Sequence, residues 1–169
     1  DTASAGGGAL SVGAVHNCLL DREARPVCWG DFDRDAAALS DQRAASVVAG
    51  WGGFCLLRAD GEAVCRGGFA ATAIAVPPGP WRALAMGRDA VCGLRHNGQL
   101  QCWGHTNEID PFAPLAPTEG HYRAIAMGGD AACAIRDDGG LRCWSRPPAQ
   151  SIEAVPEGHF LQVSVGYAH

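Results

Sequence analysis

The chain contains no lysine; all 13 of its basic side chains are arginine. Against 18 acidic residues this leaves a formal charge of −5. A nucleic-acid surface needs basic side chains concentrated on one face, so no nucleic-acid partner is expected. Nor is there an apolar run near the roughly 18 residues that a bilayer-spanning helix needs. This segment is therefore expected not to insert into a membrane. The signatures Gly-x-Ser-x-Gly and His-Glu-x-x-His and the phosphate loop are all absent. Asn17, Asn97 and Asn107 lack the Ser or Thr two residues on that N-glycosylation requires. With 23 glycines and 10 prolines, long helices have little room. The expectation is a chain with no catalytic residue, no metal site and no cofactor.

What the chain does have is repetition. Four times a cysteine is followed, after nine residues, by another: Cys18 and Cys28, Cys55 and Cys65, Cys92 and Cys102, Cys133 and Cys143. A glycine precedes the first cysteine of each pair by five residues: Gly13, Gly50, Gly87 and Gly128. Counting on to Gly166, the glycine spacings are 37, 37, 41 and 38 residues. A fixed period in this range marks a repeat architecture. An apolar stretch leads into the glycine in 46–50, 83–87 and 124–128. Six residues before the glycine stands an aromatic in Trp81, Tyr122 and Phe160, with Ala44 as the exception. Trp29, Trp103 and Trp144 follow the second cysteine, where the second repeat has Arg66.

The nine-residue spacer encodes a hairpin. Ala59-Asp60-Gly61 suits a three-residue loop, a type I turn closed by a left-handed glycine. That loop pairs Leu57 with Ala63, Leu56 with Val64 and Cys55 with Cys65. The cysteines fall on a non-hydrogen-bonded pair, where Cα atoms approach to about 4.5 Å, within disulfide reach. His96-Asn97-Gly98 and Asp137-Asp138-Gly139 give the same pairing for Cys92 with Cys102 and Cys133 with Cys143. The loop Arg22-Glu23-Ala24 has no glycine, so a different turn is expected in the first repeat. Four disulfides imply an oxidising compartment. Structural zinc and free core thiols remain the alternatives, although zinc knuckles usually have shorter spacers.

His105, Glu108, Asp110 and His121 lie in or beside the longest linker and are either a metal or substrate site or a solvated loop. Asp31, Asp33 and Asp35 resemble a calcium loop but lack its following glycine and distal glutamate. His16, His96, His105, His121, His159 and His169 show no short ligand spacing and are expected as capped or surface side chains. Arg58, Arg95 and Arg136 lie on the hairpin face opposite the cysteines. They form either a ladder for an anion or ties to neighbouring loops. The repeat tryptophans are expected to pack between blades, exposed stacking on a sugar being the alternative. No ligand-binding residue is nominated.

The order apolar strand, glycine, Asp-Gly or Asn-Gly hairpin, then Trp-Gly resembles the repeat of the regulator of chromosome condensation superfamily. Cys28-Trp29-Gly30 and Cys102-Trp103-Gly104 carry it, with Asp60-Gly61-Glu62-Ala63-Val64-Cys65 carrying the turn and second arm. His16 and His169 match a histidine often found three residues after the glycine. The cysteine-bearing form is similar to an extracellular branch of Crinkly-type receptor ectodomains and secreted bacterial and algal repeat proteins. The resemblance implies an all-β fold, a β-propeller of about 38-residue blades that is commonly seven-bladed. Residues 1–9 are expected to be a flexible lead. Residues 10–169 then hold four complete repeats, starting near 10, 46, 83 and 124, and the start of a fifth near 162. The chain is expected to be a piece of a longer ring, against a self-closed four-blade ring or an arc completed by another chain. The expected function is non-enzymatic extracellular or cell-surface recognition or scaffolding. Its expected partners are other proteins or the remaining blades of a longer chain. The alternatives are a secreted enzyme inhibitor of the β-lactamase-inhibitor propeller type and a lyase or hydrolase with a rim site. The guanine-exchange activity of the chromatin member carries over poorly, because no exchange motif can be matched.

Overall fold

A computed structural model describes residues 10–31, 39–51, 53–67, 74–88, 90–104, 117, 119–145, 152 and 155–166. Within these, the longer elements are all strands, and Leu39 stands in a 3₁₀ turn. The first repeat holds β1 (Leu10–Val12), β2 (His16–Leu20) and β3 (Pro26–Gly30). The second holds β4 (Ser46–Ala49), β5 (Gly53–Leu57) and β6 (Ala63–Gly67). The third holds β7 (Trp81–Met86), β8 (Ala90–Arg95) and β9 (Leu100–Gly104), and the fourth β10 (Tyr122–Gly128), β11 (Ala131–Arg136) and β12 (Leu141–Ser145). Each trio is one antiparallel sheet in sequence order, and among the described residues no sheet borrows a strand from another. An isolated bridge from Cys65 to Ile74 traces a fourth strand position in the second blade.

The hairpin register is the one the spacing predicts. Cys55 faces Cys65, Leu56 faces Val64 and Leu57 faces Ala63. All four cysteine pairs are disulfides inside their own hairpins, with Cα atoms 4.1, 4.0, 4.0 and 4.0 Å apart, and no described cysteine is free. The zinc and free-thiol alternatives are thereby set aside.

The first repeat corrects the expectation of a different turn. In the second hairpin the Arg58 N–H donates to Glu62 O at 2.8 Å and the Gly61 N–H to Arg58 O at 3.0 Å. In the first, the Asp21 N–H donates to Arg25 O at 2.9 Å and the Ala24 N–H to Asp21 O at 3.0 Å. The loop is the same, and Ala24 takes the left-handed position at φ 62°. The physical reason lies in Asp21. Its Oδ1 accepts from the Glu23 and Arg25 N–H groups at 2.9 and 2.8 Å, and its Oδ2 from Arg25 Nε at 3.0 Å. These bonds hold an alanine where the other repeats use glycine.

Because side chains alternate along a strand, each blade has two faces. One carries the disulfide. The other carries the aromatic and is here termed the tryptophan face. Three apolar cores form where the tryptophan face of one blade lies on the disulfide face of the blade before it. Trp81, Leu84, Met86, Val91 and Trp103 pack against Val48, Cys55, Leu57 and Cys65. Tyr122, Ile125, Ala132 and Trp144 pack against Ala83, Ala85, Cys92, Leu94 and Cys102. Val47, Ala49, Phe54 and Leu56 pack against Cys18, with Leu39 and Ala44 beside them. The second blade lacks the tryptophan, yet Phe54 sits directly across the sheet from Arg66 and is buried, so the aromatic is restored from the neighbouring strand.

The recurring glycines mark the closest approach between blades. A Cβ on Gly13 would collide with the carbonyl oxygen of Gly50, one on Gly50 with that of Gly87, and one on Gly87 would lie 2.6 Å from Gly129 O. Side chains larger than hydrogen do not fit at these steps. The chain beyond each glycine is also tied down: the Trp51 N–H donates to Gly87 O at 3.1 Å and the Arg88 N–H to Gly129 O at 2.8 Å. At the opposite end of the sheets each hairpin turn is stitched to the next blade. The Trp81 N–H donates to Gly61 O and the Tyr122 N–H to Gly98 O, both at 2.8 Å, and the Phe160 N–H to Gly139 O at 2.9 Å.

Candidate functional site

Two rims on this scaffold carry polar side chains. The turn rim is formed by the loops 21–25, 58–62, 95–99 and 136–140. The residue before each repeat aromatic closes over the preceding turn. His121 Nδ1 lies 2.6 Å from Asn97 O and His159 Nδ1 lies 2.5 Å from Asp138 O, while Pro80 covers Gly61. His121 and His159 are thus capping side chains, as expected. Arg95 donates to Pro78 O and to Gln101 Oε1, and its guanidinium lies 4.2 Å above the Trp81 ring. Arg58 donates to Gln42 Oε1 at 2.6 Å. Both arginines are spent on neighbouring loops, whereas Arg136 is exposed. Arg82 and Arg123 reach the next repeat, donating to Tyr122 O and Phe160 O.

The opposite rim is built from the residue after each repeat glycine: Ala14, Trp51, Arg88 and Gly129. They line a recess of about 200 Å³ together with Met86 and Met127. The Arg88 guanidinium lies 5.0 Å from the Trp51 ring centroid, a cation–π distance. Sequence reasoning passed over both residues. The available signal was register: the position after the glycine is alanine, tryptophan, arginine and glycine in successive repeats, which is unlike a structural position. A larger groove of about 600 Å³ runs along the innermost strands, lined by Ser11, Val48, Leu84, Ile125 and Val163 among others.

His16 is buried, with Nε2 3.1 Å from Gly53 O of the next blade. Burial pushes its pKa below the usual 6.5, partly offset by that backbone hydrogen bond. It is a core side chain. His96 is exposed on a turn. His105, Glu108, Asp110, Asp33, Asp35 and His169 lie outside the described residues, so the linker-site and calcium-loop readings are not brought together here. Among the described residues no three His, Cys, Asp or Glu side chains gather as a metal site.

The tryptophan expectation holds for two residues and fails for one. Trp103 and Trp144 are 6% and 8% exposed, but Trp29 is 46% exposed. Among the described residues no blade precedes the first, so its tryptophan face is bare.

Repeated three-stranded sheets with hairpin-internal disulfides, stacked face to face, define the blades of a β-propeller fold. The solved structures similar to it agree. The Crinkly WD40 ectodomain of the Arabidopsis thaliana receptor kinase ACR4 is 22% identical with a TM-score of 0.66, over 80% of this chain and 49% of that one. The ectodomain of the Physcomitrella patens receptor kinase CR4 is 24% identical with a TM-score of 0.64, over 81% and 38%. Saccharomyces cerevisiae Prp20p, described with its binding to Gsp1p and histones, is 16% identical with a TM-score of 0.61, over 80% and 44%. At these identities the likeness establishes the fold, and this chain spans half or less of each structure. No protein-family model and no curated protein sequence matches the chain.

Proposed function

We propose that this chain is a non-enzymatic extracellular module that recognises or scaffolds other proteins through loops and rims on a disulfide-stapled propeller. The observation that carries the reading is the set of four hairpin-internal disulfides with no free cysteine among the described residues. Such bridges form and persist in oxidising compartments and are rare in the cytosol. They also suit a binding scaffold, since each closes a short loop and holds the adjoining rim rigid. The receptor-kinase ectodomains of similar fold support an extracellular setting. Prp20p, described as binding Gsp1p and histones, shows that this fold can serve as a protein-binding surface. The remaining blades of a longer chain are a further class of partner. The length of the similar structures supports that class. The inhibitor and the rim-site lyase or hydrolase readings have no specific observation in their favour.

Thiol titration of the protein taken from its native source, denatured without reductant, tests the compartment. The reading expects no reactive thiol; eight would contradict it. Chemical cross-linking at the native site then tests the role. Partner peptides are expected to join the turn rim or the Trp51–Arg88 rim, and cross-links confined to the strands would contradict it.

A further inference from the structure

The chain has 2 methionines, and they hold one repeat position. Met86 and Met127 each stand directly before a repeat glycine, where the first two repeats have Val12 and Ala49. Each packs on the blade before its own. Met86 lies with Trp81 and Leu84 against Val48 and Leu57 of the second blade. Met127 lies against the cluster that holds Ala83, Ala85 and Cys92 of the third. Thioethers are thus built into two blade junctions, and both junctions have described sheets on either side.

The two sulfurs differ in their surroundings. Met86 is buried, and a Cβ on Gly50 would stand 2.6 Å from its Cγ and 3.2 Å from its Sδ. Met127 is half-buried. Its methyl lies 3.3 Å from where a Cβ on Gly87 would stand, a point only 2.6 Å from Gly129 O. Both side chains line the recess and the larger groove, but Met127 is the more open to a small solute. No described cysteine is free, so the thioethers are the sulfur left for an oxidant to attack. The Met127 methyl also rests at the step that holds the rim. Gly129 O accepts from the Arg88 N–H at 2.8 Å, and the Arg88 guanidinium in turn lies over Trp51.

We propose that Met127 is an oxidative modification site that controls the Arg88 side of the rim. A peroxide transfers one oxygen atom to the Met127 sulfur. The O–O bond breaks, the thioether gives up two electrons to become a sulfoxide, and hydrogen peroxide leaves as water. The product is polar where a methyl group lay on Gly87, and a buried polar group needs a hydrogen-bond partner or water. The step between Gly87 and Gly129 has room for neither, since even a Cβ collides there. The oxidised side chain therefore turns out into the recess and leaves Gly87. The bond from the Arg88 N–H to Gly129 O loosens, and Arg88 is no longer held over Trp51. The neighbouring tie, from the Trp51 N–H to Gly87 O, belongs to the Met86 junction and stays closed.

Treating the folded chain with hydrogen peroxide beside free methionine, then mapping tryptic peptides, tests the first step. Arginine positions put Met86 in peptide 83–88 and Met127 in peptide 124–136, so the two are read separately. Peptide 124–136 should gain one oxygen atom at least about fivefold faster than 83–88. Met86→Leu conserves volume and leaves Met127 as the one oxidisable thioether. In that variant, oxidation should speed amide exchange at Arg88 at least about tenfold and leave Trp51 unchanged. Methionine sulfoxide reductase should restore the slow exchange. Met86→Leu/Met127→Leu, treated alike, should show no change at Arg88. The proposal is overturned if Met127 stays intact while the free methionine is consumed. It is equally overturned by unchanged Arg88 exchange in fully oxidised protein, or by faster exchange in the peroxide-treated double variant.

Discussion

Ala24 sits at φ 62° in a turn where the later repeats have Gly61, Gly98 and Gly139. A left-handed alanine costs about 1–2 kcal/mol, and glycine returns part of that gain through unfolded-state entropy. Ala24→Gly should therefore stabilise the chain by about 0.5–1 kcal/mol, read as a higher urea midpoint with unchanged slope. The Asp21 carboxylate that holds this turn is itself held below its ordinary pKa, chiefly by the Arg25 N–H. The sequence hid the shared turn because its usual marker, the glycine, is replaced by a residue whose strain is offset from three positions away. His16 gives a second residue-scale test. Unfolded, it titrates near 6.5; folded, burial favours the neutral ring and lowers that value. The unfolded chain therefore takes up the proton first as pH falls. Stability contributed by His16 should be constant above 6.5 and decline below it until the folded imidazole also titrates. Chemical unfolding at a series of pH values should show this slope, and His16→Gln should flatten it.

At the scale of the elements, the hairpins were the most legible part of the chain. Spacing and loop type set the register of Cys55 against Cys65 without help from any tertiary contact, because a hairpin is a local object. The Phe54–Arg66 pair was not legible as a substitute for tryptophan, since it depends on which residues oppose each other across β5 and β6. The Trp51–Arg88 rim was missed for the same reason: it joins neighbouring blades, not neighbouring residues. Two perturbations belong here. Gly87→Ala would place a Cβ 2.6 Å from Gly129 O and should cost roughly 1–3 kcal/mol, measured by thermal unfolding. Removing one staple as Cys55→Ala/Cys65→Ala should cost about 2–4 kcal/mol, while Asp60→Ala in the same turn should cost less than about 1 kcal/mol.

For the whole molecule one rule accounts for the packing: the tryptophan face of each blade covers the disulfide face of the blade before it. The rule explains why Trp103 and Trp144 are buried and Trp29 is not. The period marks the repeats, but which face of a sheet meets its neighbour appears only once the sheets are stacked. Stability, rim placement and the extracellular reading all rest on bridges that stay inside single hairpins. Tryptic mapping without reduction tests this most directly, because every hairpin has an arginine between its cysteines: Arg22, Arg58, Arg95 and Arg136. Trypsin therefore separates the two cysteines of each pair, and the linked peptides report the pairing. The account predicts only Cys18–Cys28, Cys55–Cys65, Cys92–Cys102 and Cys133–Cys143 linkages. A bridge between hairpins, or unlinked cysteine peptides, would contradict it.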